Sequence, residues 1–410
     1  MKDLKILHTA DWHIGKRLQE FSRLQEQRDV LNEIIDVANA QDVDLVLVAG
    51  DLFDVFHPAH DAQELFYQVL YRLSANGTRP VIAIAGNHDS HSLIEAPLPL
   101  SRELGILLLG ANHQPSTTIQ NAAGIKTTIP ETGIVLVEWP DGRQASVLAA
   151  PYANEQLLKF YLGEEEREDE LREILKEKWN TLSAKYQTAD CVNLFVGHFF
   201  FIREGASQQE EPESERSILH VGGAQALFTD HLPDAIQYAA LGHLHRNQIV
   251  DNRRFPVVYS SSPLSYSFSE ANQDKCVVII NARPGEKVQF ENIILKGGYA
   301  LHRVTFDNLI DALAWLESNQ ETYVELTYMT DEGLDSATRK AIMAAHPRIV
   351  HLIPQLKNKS METETRVEAS DLQEDIQTLF KKYYFSQKGL EPNDELMTLF
   401  REVLDEGGKS

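Results

Sequence analysis

Five short stretches of the chain place metal-binding or proton-carrying side chains beside a turn: Asp11-Trp12-His13, Gly50-Asp51, Gly86-Asn87-His88-Asp89, Gly197-His198 and Gly242-His243-Leu244-His245. Between them they hold carboxylates, imidazoles and an amide oxygen, without a thiolate. That inventory fits a pair of divalent ions and suits Mn²⁺, Fe or Zn better than a cysteine-rich structural zinc. Taken singly each stretch is a weak signal, because an isolated Asp-x-His or Gly-His is usually structural. Five together, each at the end of a predicted strand, would be a strange coincidence if none had a chemical role.

The elements that must position them are legible in the apolar pattern. LKILHTA (4–10), VDLVLVA (43–49) and RPVIAIA (79–85) are near-continuous apolar runs, which predicts strands covered on both faces. LQEQRDVLNEIIDVANAQ and DAQELFYQVLYRLSANG, which follow the first two runs, carry apolar residues at helical spacing, the second with Gly77 as its C-cap. This βαβαβ opening predicts an α/β fold with a parallel sheet and helical cover. Further strands are expected at GIVLVEW, ASVLAAP, CVNLFVG, AIQYAALG, FPVVYSS and KCVVIINA. Ligands of open α/β sheets bind outside the carboxyl ends of strands, so the five tips are expected to converge. A glycine just before the polar residue permits a sharp exit from the strand. His8, inside the first strand, reads as a satisfied core histidine, and His57, His60 and His91 read as solvated loop residues.

A chain of 410 residues can form two or three domains with proper cores. Its 43% hydrophobic and 24% charged residues fit a soluble globular protein. No apolar run approaches the roughly 20 residues that cross a bilayer, and MKDLKILHTADWH enters a strand directly, so a cytoplasmic protein without membrane partners is expected. Cys191 and Cys276 lie in apolar runs and read as buried free thiols. The net charge of −23 argues against a nucleic-acid coat, which needs clustered Lys and Arg. It does not exclude an enzyme whose metal ions meet a phosphate. Residues 163–187 predict a charged amphipathic helix, and 207–217 an acidic surface loop.

The series DWH, GDLFD, GNHD, GH and GHLH resembles the calcineurin-like metallophosphoesterase signature over roughly residues 1–280. More narrowly, DWHIGKRL (11–18), GDLFDVFHP (50–58), YAALGHLHRNQ (238–248) and YSSSPLSYSFSE (259–270) resemble the bacterial SbcD nucleases, relatives of archaeal and eukaryotic double-strand-break repair nucleases. Ser261 stands where that family more often has glycine. The resemblance implies a sandwich of β-sheets flanked by helices, a small α+β capping domain and a C-terminal helical tail. The implied boundaries are 1–285 for the nuclease domain, 286–356 for the cap, 357–370 for a linker and 371–410 for the tail.

The resemblance further implies two divalent metal ions, with Mn²⁺ the expectation. Asp11, His13, Asp51 and His245 would hold one, and Asp51 would bridge to a second held with Asn87, His198 and His243. His88 would stabilise the transition state or protonate the leaving oxygen, Asp54 would orient it, and Asp89 would fix the turn. The implied activity is exonuclease and endonuclease cleavage of DNA ends, hairpins and single strands. The implied partners are an SbcC ATPase, docked on tail stripes at Ile376, Leu379, Phe380 and Tyr383 and at Leu396, Leu399, Phe400 and Leu404, and a second copy within a heterotetramer. Lys16, Arg17, Arg23 and Arg246 lie near the metal motifs and are candidate phosphate contacts. A calcineurin-like phosphatase or cyclic-nucleotide phosphodiesterase is the alternative; its protein phosphatases typically show GNHE and GDxxDRG, whereas this chain has GNHD and GDLFD. A silent scaffold would have lost ligands, and all seven are present.

Overall fold

Leu4–Thr9, Leu45–Ala49, Val81–Ile84 and Ile106–Leu109 run parallel to one another in register. Cys276–Ala282 pairs antiparallel with the first of them, and Gln289–Ile294 closes the edge of this six-stranded sheet. The computed structural model describes residues 2–111, 113–152, 168–205, 227–331 and 333–357, with Thr378, Phe380, Lys381, Met397 and Phe400.

A second, eight-stranded sheet repeats the theme. Gln144–Ala150, Val192–His198, Tyr238–Gly242 and Val257–Tyr259 are parallel neighbours, and antiparallel strands extend both sides. The two sheets pack face to face, with Ile6, Leu47 and Ile84 of one against Val147, Leu194 and Val196 of the other in a common core. Burial on the outer faces explains why these strands are apolar throughout rather than alternating. Helices Leu24–Ala40 and His60–Leu73 cover the first sheet through Val30, Ile34, Phe66 and Val69. Glu168–Tyr186 covers the second, where Trp179 meets Phe195, Phe199 and Phe201. The result is the expected sandwich of sheets flanked by helices.

One boundary differs from its expectation. Helix His60–Leu73 stops four residues short of Gly77, because Ser74 closes it: its Oγ donates to Tyr71 O at 2.7 Å, and its carbonyl accepts from Arg79 N at 3.0 Å. Ala75, Asn76 and Gly77 then pass through left-handed conformations with φ of 47°, 57° and 84°.

Strands Ala300–Phe306, Thr322–Thr330 and Ile349–Leu356 form a separate three-stranded sheet, covered by helices Leu309–Ser318 and Ser336–Ala345. Asn308 and Asp335 cap those helices by accepting from main-chain N–H groups of the first turn, where four donors would otherwise be orphaned. This layer is tied to the sandwich by a buried ion pair on the first turn of helix Leu24–Ala40. Glu26 accepts from Arg23 Nε at 2.6 Å, Tyr323 Oη at 2.9 Å and Tyr299 N at 2.8 Å.

The chain falls into two compact units, residues 1–328 with 334–353, and residues 329–333 with 354–410. In the second, Thr378, Phe380, Lys381, Met397 and Phe400 are helical, and the rings of Phe380 and Phe400 stack at 3.9 Å and 11°. The acidic loop at 207–217, the linker from 358 to 370 and the rest of the tail lie outside the described residues.

Candidate metal centre

All five stretches stand at the carboxyl ends of parallel strands. Leu4–Thr9 leads to Asp11 and His13, Leu45–Ala49 to Asp51, and Val81–Ile84 to Asn87 and His88. Val192–His198 ends on His198 itself, and Tyr238–Gly242 leads to His243 and His245. Both sheets therefore feed one edge. They are stitched there by His198 Nδ1, which donates to Ala49 O across the sandwich at 2.8 Å, and by His243 N, which donates to Asp11 Oδ1 at 2.8 Å. Asp11 N donates to Gly50 O and His13 N to Asp51 O, so the first two tips lie side by side.

This convergence strains the backbone. Asp11, His13, Asp51 and His243 have φ of 53°, 43°, 48° and 103°. The left-handed region costs an L-residue about 1–2 kcal/mol, and such outliers cluster where function needs a fixed geometry. It also demands close approach. A Cβ on Gly86 would lie 2.1 Å from Asp51 Oδ1, and one on Gly242 would lie 1.8 Å from Ala49 O.

Asp11, His13, Asp51, His198, His243 and His245 are all fully buried. His13 Nε2 lies 3.1 Å from His245 Nε2 and 3.5 Å from Asp51 Oδ2; His198 Nε2 lies 2.8 Å from Asn87 Oδ1 and 3.3 Å from Asp51 Oδ2. Three overlapping sets, Asp11–His13–His245, Asp11–Asp51–His198 and His13–Asp51–His88, each bring their donor atoms within 4.8 Å of one another. Burying two carboxylates together is unfavourable without a cation. Burial pushes the Asp11 carboxyl above its usual range. On His198 burial opposes a charge, but Asp51 and Asp11 outweigh it and raise the imidazole to about 10. Asp11 Oδ2 is buried and accepts no hydrogen bond among the described residues. A negative pocket of hard and borderline donors with an orphaned carboxylate oxygen fits divalent metal ions.

The flanking residues hold this arrangement. Asp89 accepts from Gly86 N, Leu52 N and Phe53 N, locking the 86–89 turn to the loop that carries Asp51; burial, then Asp51, pushes its carboxyl up to about 6. His88 N donates to Asp51 Oδ1 at 3.0 Å, and His88 Nδ1 donates to the main-chain oxygen of Asp54 at 2.8 Å. The Asp54 carboxylate lies 2.7 Å from Lys16 Nζ and 3.6 Å from His13 Nδ1. Lys16 is thus engaged within the site rather than extended into solvent. His8 is a core histidine: Nε2 donates to Leu241 O at 3.1 Å, which leaves Nδ1 to accept from Tyr238 Oη at 3.1 Å. Cys191 and Cys276 are buried and free, and burial pushes the Cys276 thiol up to about 11.

Four participants were not singled out from sequence. Gln27 clamps the His13 loop, its Nε2 donating to His13 O at 2.8 Å and its Oε1 accepting from Gly15 N at 3.0 Å. Tyr266 donates to Trp12 O and sets its ring edge-on to His13 and His245 at 5.4 and 5.9 Å. Glu270 Oε1 accepts from His245 Nδ1 at 3.2 Å, and Lys275 Nζ donates to Glu270 Oε2 at 2.7 Å. The stretch YSSSPLSYSFSE contains two of these residues. Their only sequence signal is that both lie inside a stretch that carries the family resemblance.

Residues 4–247 match the family model for calcineurin-like phosphoesterases. The SbcD component of the SbcCD nuclease of Bacillus subtilis is 33% identical over 98% of this chain and 97% of its own length. The chain belongs to the SbcD family. Relatives of the same description come from Rhodobacter capsulatus, 35% identical over 69% of this chain and 67% of the relative, and from Escherichia coli K12, 26% identical over 96% and 94%. As an SbcD-family member the chain is a metallophosphoesterase nuclease, a hydrolase that works with divalent metal ions. The phosphatase alternative has less support.

Proposed function

We propose that this chain hydrolyses DNA phosphodiester bonds as exonuclease and endonuclease, at duplex ends, hairpins and single strands. In this reading Asp11, His13, Asp51 and His245 hold one Mn²⁺, and Asp51, Asn87, His198 and His243 hold a second. The observation that carries it is the overlap of three donor sets in one buried cluster, in which the Asp51 carboxylate is common to Asp11–Asp51–His198 and His13–Asp51–His88. When bound, two such ions supply the positive charge that activates a water and offsets charge on the phosphate and the leaving oxygen.

The chain's own residues supply the rest. The Asp54 carbonyl accepts from His88 Nδ1, so Nε2 is the atom that can exchange a proton. His88 then stabilises the transition state or protonates the leaving 3′ oxygen, a role worth about 10²–10⁴-fold in rate. The left-handed loops at Asp11, Asp51 and His243 hold the donors in place before substrate arrives. The test is cleavage of end-labelled duplex, hairpin and single-stranded DNA with Mn²⁺, with Mg²⁺ and metal-free. His88→Ala should lose cleavage while retaining metal; loss of Mn²⁺ from that variant would contradict its role.

The nuclease relatives are the SbcD components of SbcCD assemblies, and we infer an SbcC-type ATPase partner for residues 371–410 here. The Phe380–Phe400 stack supports a paired-helix tail. Apolar stripes of this kind dock as helix-in-groove ligands. Two copies would sit side by side in the assembly, with the partner providing the basic DNA track that a net charge of −23 does not. The domain limits of 1–285, 286–356, 357–370 and 371–410 belong to the same proposal, as does action in the cytoplasm. No helix among the described residues is long and apolar enough to cross a membrane. Unchanged capture of the ATPase after deletion of residues 371–410 would refute the docking role.

A further inference from the structure

On the reading that His245 ligates metal, we propose that Glu270 and Lys275 form a buried positioning pair that sets His245 in its metal-binding state. Glu270 and Lys275 are 2% and 7% exposed. A buried charged pair adds little stability by itself, because desolvation cancels most of the attraction. Both members of the pair reach His245. Glu270 Oε1 lies 3.2 Å from His245 Nδ1, and Lys275 Nζ donates to the main-chain oxygen of His245 at 2.8 Å. Lys275 also donates to Glu270 Oε2 at 2.7 Å and to Ser262 Oγ at 3.0 Å. His245 is gripped at its ring by the carboxylate and at its backbone by the ammonium.

The chemistry follows from hydrogen-bond roles. A carboxylate held by a lysine only accepts, so His245 Nδ1 carries the hydrogen and Nε2 presents its lone pair. Nε2 is the atom that faces His13 Nε2 at 3.1 Å. A carboxylate behind a ligating imidazole also raises its basicity, and losing such a partner weakens metal binding about 10–100-fold. The opposite wall of the site carries a second carboxylate–lysine pair, at ion-pair rather than hydrogen-bond distance from its imidazole. His13 Nδ1 lies 3.6 Å from Asp54 Oδ1, which is paired with Lys16 Nζ at 2.7 Å. Two imidazoles that converge on one point each have a carboxylate–lysine pair behind them, one pair from the loops after strands Leu4–Thr9 and Leu45–Ala49 and the other from 270–275.

The full-length protein is stripped of metal and titrated with Mn²⁺ alone, following per-site affinity by calorimetry and the spin-coupled dinuclear signal by electron paramagnetic resonance. Two variants are used. Glu270→Asp keeps a carboxylate for Lys275 but withdraws it from His245; the double variant Glu270→Gln with Lys275→Met removes both charges, so neither is left buried alone. Circular dichroism selects the variants that fold. We expect one Mn²⁺ site to weaken about 10–100-fold, the other to be unchanged, and the coupled signal to appear only at correspondingly higher Mn²⁺. Wild-type affinity at both sites in a folded variant would overturn the proposal. His245→Ala separates the two readings. If it loses one site while the Glu270 variants do not, only the positioning role fails; if it keeps both sites, the ligand assignment of His245 fails as well.

Discussion

His88 Nδ1 lies 2.8 Å from the main-chain oxygen of Asp54, while the Asp54 carboxylate is 4.0 Å from the same nitrogen. Asp54 therefore holds His88 through an atom that no substitution removes. Its carboxylate works on His13 and Lys16; burial opposes its charge, but those two partners outweigh burial and hold the carboxyl well below the usual range. We predict that Asp54→Ala weakens Mn²⁺ binding about tenfold and that excess Mn²⁺ restores much of its cleavage rate. His88→Ala should not be rescued in this way. Rates measured against Mn²⁺ concentration for both variants check the distinction.

Gly242→Ala should be severely destabilising. The added Cβ would stand 1.8 Å from Ala49 O, a main-chain atom that cannot swing away. Overpacking typically costs about 1–3 kcal/mol, and here the two sheets would have to part at the edge that carries the site. A thermal melt lowered by several degrees, with loss of metal binding, is the expected result. Gly142→Ala is the control, because its Cβ would meet nothing within 4 Å, although its φ of 85° leaves a smaller strain cost.

His8 makes stability depend on pH. Burial lowers its pKa from 6.5 to about 3, so the folded chain keeps it neutral. Between those values the unfolded chain takes up a proton that the folded chain refuses. Stability is therefore full above pH 6.5 and falls as pH drops towards 3, by up to about 1.4 kcal/mol per unit from this group. His8→Gln, which can still donate to Leu241 O and accept from Tyr238 Oη, should show a flatter decline over the same window. Urea unfolding at a series of pH values compares the two.

Ser261 occupies a left-handed position at φ 92°, and its hydroxyl accepts from Cys276 N at 3.1 Å while donating to Cys276 O at 3.2 Å. Glycine there would relieve the strain but lose those bonds. Ser261→Ala keeps the strain and loses the bonds as well. Glycine should thus be the more stable variant by about 1 kcal/mol, measured by chemical denaturation, and neither should alter Mn²⁺ stoichiometry.

Much of the site was legible from residue types at strand ends. The apolar runs at 4–10, 43–49 and 79–85 became central parallel strands because their residues are buried on both faces, and a run with that property has few other solutions. The helix that stops at Ser74 instead of Gly77 shows the limit of local reading, since a side-chain hydrogen bond ended it before the glycine was reached.

What the sequence by itself determined was the inventory: seven candidate ligands, His88 beside one of them, and strands to carry them. Their meeting at one edge of the two sheets, the left-handed backbone at four of them, and the carboxylate–lysine pairs near His13 and His245 were decided by tertiary structure alone. The physical reason is separation. His13 and His245 are 232 positions apart, and His245 and Glu270 are 25 apart, with no helical or strand period to relate them. Only the packing of two sheets face to face, which buries charge that must then find a partner, makes them neighbours.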